Sequence, residues 1–271
     1  MNSSRRKLGL LLLAIFASGS SINFSASALD ADAPLHVFLL TGQSNMAGRA
    51  AIESQDEKPV EGALLWNIVD QKWEDAKPPY NRYSPHNKGP AMQRLNCGPS
   101  FVRDYLKANP GVRVGIVCSV RGGTSIEQWE KGVTKPWSLF DTTVAEAEAA
   151  LAADPKAELK GMLWHQGEAN SAAEKVDKYP AQLKQMIADF RADLKSPDLP
   201  FVFAQIGQFN EGYADFNKMI VEQPENIENT ACVVTDRLKN MDKAHFDSAG
   251  QRLLGKRYAE AMLKLLAEKK G

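Results

Sequence analysis

Four runs of continuous apolar residues punctuate the chain: Leu35 to Leu40, Val112 to Val120, Leu159 to Trp164 and Pro200 to Ile206, with a shorter fifth from Ala231 to Thr235. They do not alternate polar with apolar, so they read as strands buried on both faces of a sheet. Helical spacing fills the gaps. Phe101, Tyr105 and Leu106 share one face of a helix over 100–108, and an Ala- and Glu-rich helix is expected from Leu139 to Ala153. A third spans roughly Ala172 to Leu194, where Leu183, Met186, Ile187 and Phe190 fall at helical spacing and Pro180 predicts a kink or a late start. The last helix, Ser248 to Glu268, buries a stripe of Leu253, Leu254, Tyr258, Met262, Leu265 and Leu266. Strand and helix in alternation predict an α/β fold with a parallel sheet covered on both faces.

The stretch from Ala50 to Asn96 breaks this rhythm. It carries Lys77-Pro78-Pro79-Tyr80, Ser84-Pro85-His86 and Gly89-Pro90, with Trp66 and Trp73 in a short hairpin, and is expected to be a long insertion that is functional or mobile. No repeat, linker or second domain is evident.

The N-terminus reads as an address. Arg5-Arg6-Lys7 is a basic n-region, Leu8 to Ala17 an apolar h-region, and Ala26-Ser27-Ala28 a small-x-small cleavage site. The apolar run is about half the ~20 residues of a spanning helix. Residues 1–28 are therefore expected to be a signal peptide, and 29–271 a single domain of a secreted or periplasmic protein without stable membrane insertion. Ser4-Arg5-Arg6 is a weak twin-arginine pattern, and no cysteine near the cleavage site suggests a lipid anchor. The mature chain, about 240 residues, is long enough for one α/β domain with a full core.

Charge excludes one function class. Lys plus Arg equal Asp plus Glu at 33 each, with no dense basic block, so no nucleic-acid partner is expected. Cys97, Cys118 and Cys232 are odd in number, and Cys118 and Cys232 lie in apolar runs, as free buried thiols do.

In parallel α/β sheets ligands bind at the carboxyl ends of the strands. Polar, Gly-bearing segments follow the predicted strands: Gly42-Gln43-Ser44-Asn45, Arg121-Gly122-Gly123-Thr124-Ser125 and His165-Gln166-Gly167-Glu168, with Asp242-Lys243-Ala244-His245 before the last helix. These types suit acyl transfer. A serine needs a base to become a nucleophile, and a carboxylate orients that base. Ser44 is the candidate nucleophile and His245 the base, with Asp242 or Glu168 as the acid. Oxyanion donors are the N–H of Ser44, a glycine N–H in the Gly122-Gly123 turn and the Gln166 amide. The Gly-x-Ser-x-Gly elbow of α/β-hydrolases is missing, because Met46 stands at its last position. No His-Glu-x-x-His, Walker loop or Gly-x-Gly-x-x-Gly is present, so neither metal nor cofactor is expected.

Gly42-Gln43-Ser44-Asn45-Met46, Gly122-Gly123-Thr124, Trp164-His165-Gln166-Gly167-Glu168 and Asp242-x-x-His245 resemble the four blocks of the SGNH hydrolase superfamily. They are closest to its carbohydrate esterase family 6 and sialate O-acetylesterase-like branch, over Leu35 to about Ala259. The resemblance implies a flavodoxin-like three-layer α/β/α sandwich and metal-free removal of O-acetyl groups from an acetylated carbohydrate substrate, acetylxylan first and acetylated sialic acid second. It also implies Ser44 as nucleophile, Gly123 and Gln166 as oxyanion donors, and His245 as base. Gln43 and Gln166 depart from the Asp and Asn usual in the superfamily but agree with this branch.

Other readings stand beside these. A lipolytic or thioesterase-like relative would need a long apolar channel, and a glycan-binding relative would not need a nucleophile, base and acid. His36 reads as a core or edge residue, His86 as solvated, and His165 as a lesser candidate base oriented by Glu168. Trp129 and Tyr80 are candidate sugar-stacking rings, though aromatics more often fill the core.

Overall fold

The computed structural model describes residues 32–86, 89 and 92–268. The export-signal reading of residues 1–28, and the cleavage site before Leu29, lie outside the described residues.

Seven strands form one sheet among the described residues: β1 (Leu35–Gly42), β2 (Ala63–Asn67), β3 (Lys72–Asp75), β4 (Arg113–Val120), β5 (Ala157–His165), β6 (Phe201–Ala204) and β7 (Thr230–Val233). Their order is β3-β2-β4-β1-β5-β6-β7. All neighbours are parallel except the β2–β3 hairpin. Every expected strand is present, its ends within two residues of the expected ones.

β1 explains the continuous apolar runs. Leu35, Val37 and Leu39 face one core cluster, while Phe38 and Leu40 face a second. The first cluster is closed by α3 (Leu139–Ala152), α5 (Tyr179–Asp193) and α6 (Ala214–Val221), the second by α2 (Gly98–Ala108) and α7 (Ser248–Glu268). The result is a three-layer α/β/α sandwich. Each fully buried Phe or Leu on these faces stabilises the fold by roughly 2 kcal/mol relative to exposure.

Pro180 produces a late start. A single turn, α4 (Ala173–Val176), precedes α5, and Pro180 occupies the first turn of α5, where a backbone N–H has no helical partner to lose. The short helix α6 had no counterpart in the sequence reading.

The segment 50–96 differs from the expected insertion. Trp66 pairs with Trp73 in the anticipated hairpin, but β2 also pairs in parallel with β4, so the segment extends the main sheet. Its start is tied to α7. Arg252 bonds Asp56 and Glu53, both at 2.8 Å, and Ser248 Oγ donates to Ala51 O at 2.7 Å. Trp66 Nε1 donates to Glu146, and Trp73 Nε1 to Ala150 O, fixing the hairpin to α3. No helix among the described residues is long and apolar enough to cross a membrane.

Candidate active site

β1 ends on Gly42 at φ 131°, and a Cβ there would fall 2.3 Å from His165 O, so only glycine lets the ends of β1 and β5 approach so closely. Gln43 N–H donates to that same carbonyl at 2.9 Å. The chain then turns into α1 (Ser44–Ala47), a single helical turn ended by Gly48. Ser44 is its first residue, and its N–H has no intrahelical partner. A helix this short has little dipole, so an oxyanion held here relies on N–H groups.

Asp242 and His245 meet through the local chain. Asp242 Oδ1 accepts the backbone N–H groups of Ala244 and His245, both at 2.8 Å, which folds the intervening residues into an Asx turn. Oδ2 is left 2.8 Å from His245 Nδ1. Partial burial pushes the Asp242 carboxyl up, but the bonds from the His245 ring and the two N–H groups outweigh it and hold it below the usual carboxylate range. It is therefore an anion at neutral pH, suited to hold Nδ1–H and leave Nε2 as the basic atom.

The buried Asn45 side chain joins this turn to the Ser44 turn. Its Oδ1 accepts Phe246 N–H at 3.1 Å, and its Nδ2 donates to Ala244 O at 2.9 Å and to Glu168 Oε1 at 2.6 Å. Both flanks of His245 are thus fastened to the residue after Ser44.

Among the described residues no hydrogen bond or ion pair joins Glu168 to His245. Its carboxylate bonds Asn45, its Oε2 is buried without a partner, and burial pushes its pKa up to about 7. Of the two acids left open by the sequence, Asp242 touches the His245 ring.

Gln166 reaches the same sheet edge but is enclosed. Its Nε2 meets Asn170 Oδ1 at 2.7 Å, Gln43 Oε1 at 3.1 Å and Thr124 O at 3.2 Å, and Tyr179 donates to its Oε1 at 2.8 Å. Three acceptors share its two hydrogens, so it reaches an oxyanion only by exchanging one of them. Gly123, in contrast, is exposed in its turn at φ 78°. Thr124 anchors that turn by donating to Arg121 O at 2.8 Å.

The other histidines and the candidate sugar-binding rings fall elsewhere. His165 is fully buried, with Nδ1 on Tyr258 OH at 3.2 Å, and burial pushes its pKa down to about 3, so it is no general base. His36 pairs with Tyr105 OH at 2.8 Å. His86 differs from the solvated residue expected: it is half-buried, its Nε2 has no partner, and burial followed by the Arg121 charge draws its pKa down. Trp129 and Tyr80 are wholly buried, as core aromatics are, and offer no ring to a sugar, so the candidate stacking role falls away.

The sequence reading missed Asn45 as a clasp and Asn170 as a hub. Asn170 Oδ1 also accepts Ile126 N–H, while its Nδ2 donates to Glu127. Its position four residues after Gln166 was the available signal. Among the described residues no three His, Cys, Asp or Glu side chains group as metal ligands.

A family model described as carbohydrate esterase, sialic acid-specific acetylesterase, matches residues 34–264. A probable carbohydrate esterase of Arabidopsis thaliana is 28% identical over 249 residues, covering 85% of this chain and 91% of that protein. The solved Arabidopsis thaliana structure superposes with a TM-score of 0.75 at 24% identity, over 85% of this chain and 98% of that one. The crystal structure of NanS gives 0.68 at 17% identity, over 87% and 99% respectively.

Proposed function

Because the chain belongs to the carbohydrate esterase, sialic acid-specific acetylesterase family, we propose that it hydrolyses O-acetyl groups of carbohydrates through a Ser44–His245–Asp242 triad. The observation that carries this is the Asp242–His245 contact at 2.8 Å, on a turn that Asn45 fastens beside Ser44.

In this mechanism His245 Nε2 takes the Ser44 hydroxyl proton as Oγ attacks the acetyl carbonyl carbon. The carbonyl π electrons move onto oxygen, and the oxyanion is held by the N–H groups of Ser44 and Gly123. Collapse breaks the bond to the sugar oxygen, which receives the proton from His245. Water then attacks the acetyl-enzyme with His245 again as base, releasing acetate and restoring Ser44. Asp242 stays ionised throughout and stabilises the imidazolium.

Acetylxylan is the proposed substrate. Acetylated sialic acid is the second reading, favoured by the description of the matching family. Export to the periplasm or medium, with the carbohydrate met there, completes the proposal, and N-terminal sequencing of exported protein tests it.

The deciding experiment measures acetate released from acetylated xylan, acetylated sialic acid and simple acetyl sugars by wild type and Ser44→Ala. Release should fall on the order of 10³-fold or more in the variant, with an unchanged circular dichroism spectrum. Near-wild-type turnover by Ser44→Ala would refute the nucleophile. Preference for long-chain nitrophenyl esters would replace the acetylesterase reading with a lipolytic one, and folded protein unlabelled by a serine-directed phosphonate would favour a glycan binder.

A further inference from the structure

The loop after β6 stands at the same carboxyl edge of the sheet as Ser44 and takes no part in the triad. Gln205, the first residue past β6, is held on three sides. Its Oε1 accepts Thr235 N–H at 3.1 Å and Gln208 Nε2 at 2.6 Å, and its Nε2 donates to Asn217 O at 3.0 Å. Asn217, on α6, accepts Ile206 N–H on its Oδ1 at 2.9 Å. These bonds fix the loop before any ligand arrives.

The next residues join the catalytic turn to a groove. Phe209 is half-buried, with its ring edge-on to Phe246 at 5.6 Å between centroids, and Phe246 directly follows His245. Gln208 and Asn210, on either side of Phe209 in the chain, line a groove with Gln205, Glu211, Asn217 and Lys218. Its volume of about 430 Å³ falls within the roughly 300–1,000 Å³ of ligand sites. Asn210 belongs to both places, because its Nδ2 also donates to Lys243 O at 3.2 Å. Lys243 lies two residues before His245, at most about 7 Å of chain. Grooves of similar volume lie along α5 and beside β7, but among the described residues no hydrogen bond joins the side chains lining them to the Ser44 or His245 turns.

The lining indicates the ligand. Gln205 and Asn217 are buried at its base, while Gln208, Glu211 and Lys218 are exposed at its sides. An amide offers both donors and acceptors, as a sugar hydroxyl does. Glu211 and Lys218 carry opposite charges, so the lining favours neither an anion nor a cation. An apolar acyl chain laid here would cover polar groups without bonding them. Because the groove begins beyond the His245 turn, a glycan whose acetyl group is at Ser44 reaches it with its neighbouring residues.

We propose that this groove is a second sugar-binding subsite, holding uncharged sugar residues linked to the acetylated one, with Phe209 as the apolar step between the two. This rests on the acetylesterase reading of Ser44. It makes a neutral acetylated oligosaccharide a better substrate than a single acetylated sugar.

The test measures kcat/KM for acetylated xylose, acetylated xylo-oligosaccharides of increasing length and O-acetylated sialic acid. The proteins are wild type, the double variant Gln208→Ala/Lys218→Ala, and Ala214→Trp, whose indole would fill the groove from its α6 wall. In wild type kcat/KM should rise with chain length by about tenfold or more, as expected for a few net hydrogen bonds. The rise should lie mostly in KM, because contacts remote from the acetyl group are made equally in ground and transition states. Both variants should flatten it, and O-acetylated sialic acid should fall below the longest chain. Equal kcat/KM at every length in wild type overturns the subsite while leaving the esterase reading intact, and this comparison stands even if a variant does not fold. A rise that persists undiminished in both variants, or a loss of equal size at every length, also overturns it. So does activity on sialic acid alone. No acetate release by wild type from any of these substrates overturns the esterase reading itself.

Discussion

Asn45 accepts the backbone N–H of Phe246 at 3.1 Å, across 201 residues of chain, and so ties the turn bearing Ser44 to the turn bearing His245. A serine and a histidine that must exchange a proton need their separation held to a fraction of an ångström, and hydrogen bonds between the two turns supply that constraint. Asn45→Ala removes these bonds and leaves Phe246 N–H and Ala244 O unpaired. We expect kcat to fall on the order of 10²-fold with KM little changed, because no substrate contact is lost. An unchanged kcat would show that the His245 turn holds its place without Asn45.

Asp242→Asn and Glu168→Gln separate the two acids. Asparagine leaves the turn able to form but cannot stabilise the imidazolium, so kcat should drop by up to about 10⁴. Glu168→Gln keeps an oxygen able to accept from Asn45, and its loss should be much smaller. A mild Asp242→Asn effect beside a severe Glu168→Gln effect, both at saturating substrate, would transfer the role to Glu168.

The fold was legible because strands buried on both faces must be apolar without interruption, as in Val37-Phe38-Leu39-Leu40. The membership of β2 in the sheet was not, since it depends on pairing with β4 some fifty residues away, and its own sequence announces only a hairpin. The Asp242–His245 contact was legible for a local reason. An Asx turn at this spacing uses one carboxylate oxygen on the backbone and leaves the other for the ring.

Where partners are distant, residue type alone misled or was silent. Trp129 and Tyr80 resemble sugar platforms on paper but are sealed in the core, Trp129 by its Nε1 bond to Thr124 at 3.0 Å. Glu168 stood as the rival to Asp242 because its block ends at the right edge; in the structure its Oε1 accepts from Asn45 and its Oε2 is buried without a partner.

Gln166→Ala tests whether a fully engaged amide still serves the reaction. Its removal takes one hydrogen bond each from Gln43 Oε1, Thr124 O, Asn170 Oδ1 and Tyr179 OH, although Asn170 Oδ1 keeps Ile126 N–H and Tyr179 OH keeps Trp164 Nε1 and the Gln166 carbonyl. With about 1–3 kcal/mol for a buried group left unpaired, the melting temperature should fall by several degrees. If Gln166 exchanges an acceptor for the oxyanion in the transition state, kcat should also fall by about 10² with KM nearly constant. We expect both changes. A lowered melting temperature with unchanged kcat would confine Gln166 to holding the Gln43, Thr124 and Asn170 segments together.

The buried carboxyl of Glu168 also leaves a mark on stability. Its pKa is pushed up to about 7 from an ordinary carboxylate value near 4.5, so between those values the folded state holds a proton that the unfolded chain has released. Stability from this group is thus full below about pH 4.5 and is lost as pH rises through 7. His165 acts in the opposite sense. Pushed down to about 3, it stays neutral in the fold and contributes stability present above about pH 6.5 and lost on acidification. The absolute melting curve mixes the two, so the informative quantity is the melting temperature of wild type minus that of Glu168→Gln, followed from pH 4.5 to 8. Glutamine cannot ionise, and the difference should fall with rising pH, steepest between about 4.5 and 7 and levelling off above 7. A flat difference would mean that Glu168 ionises in the fold as readily as in the unfolded chain, with its buried Oε2 charge met by a partner other than Asn45.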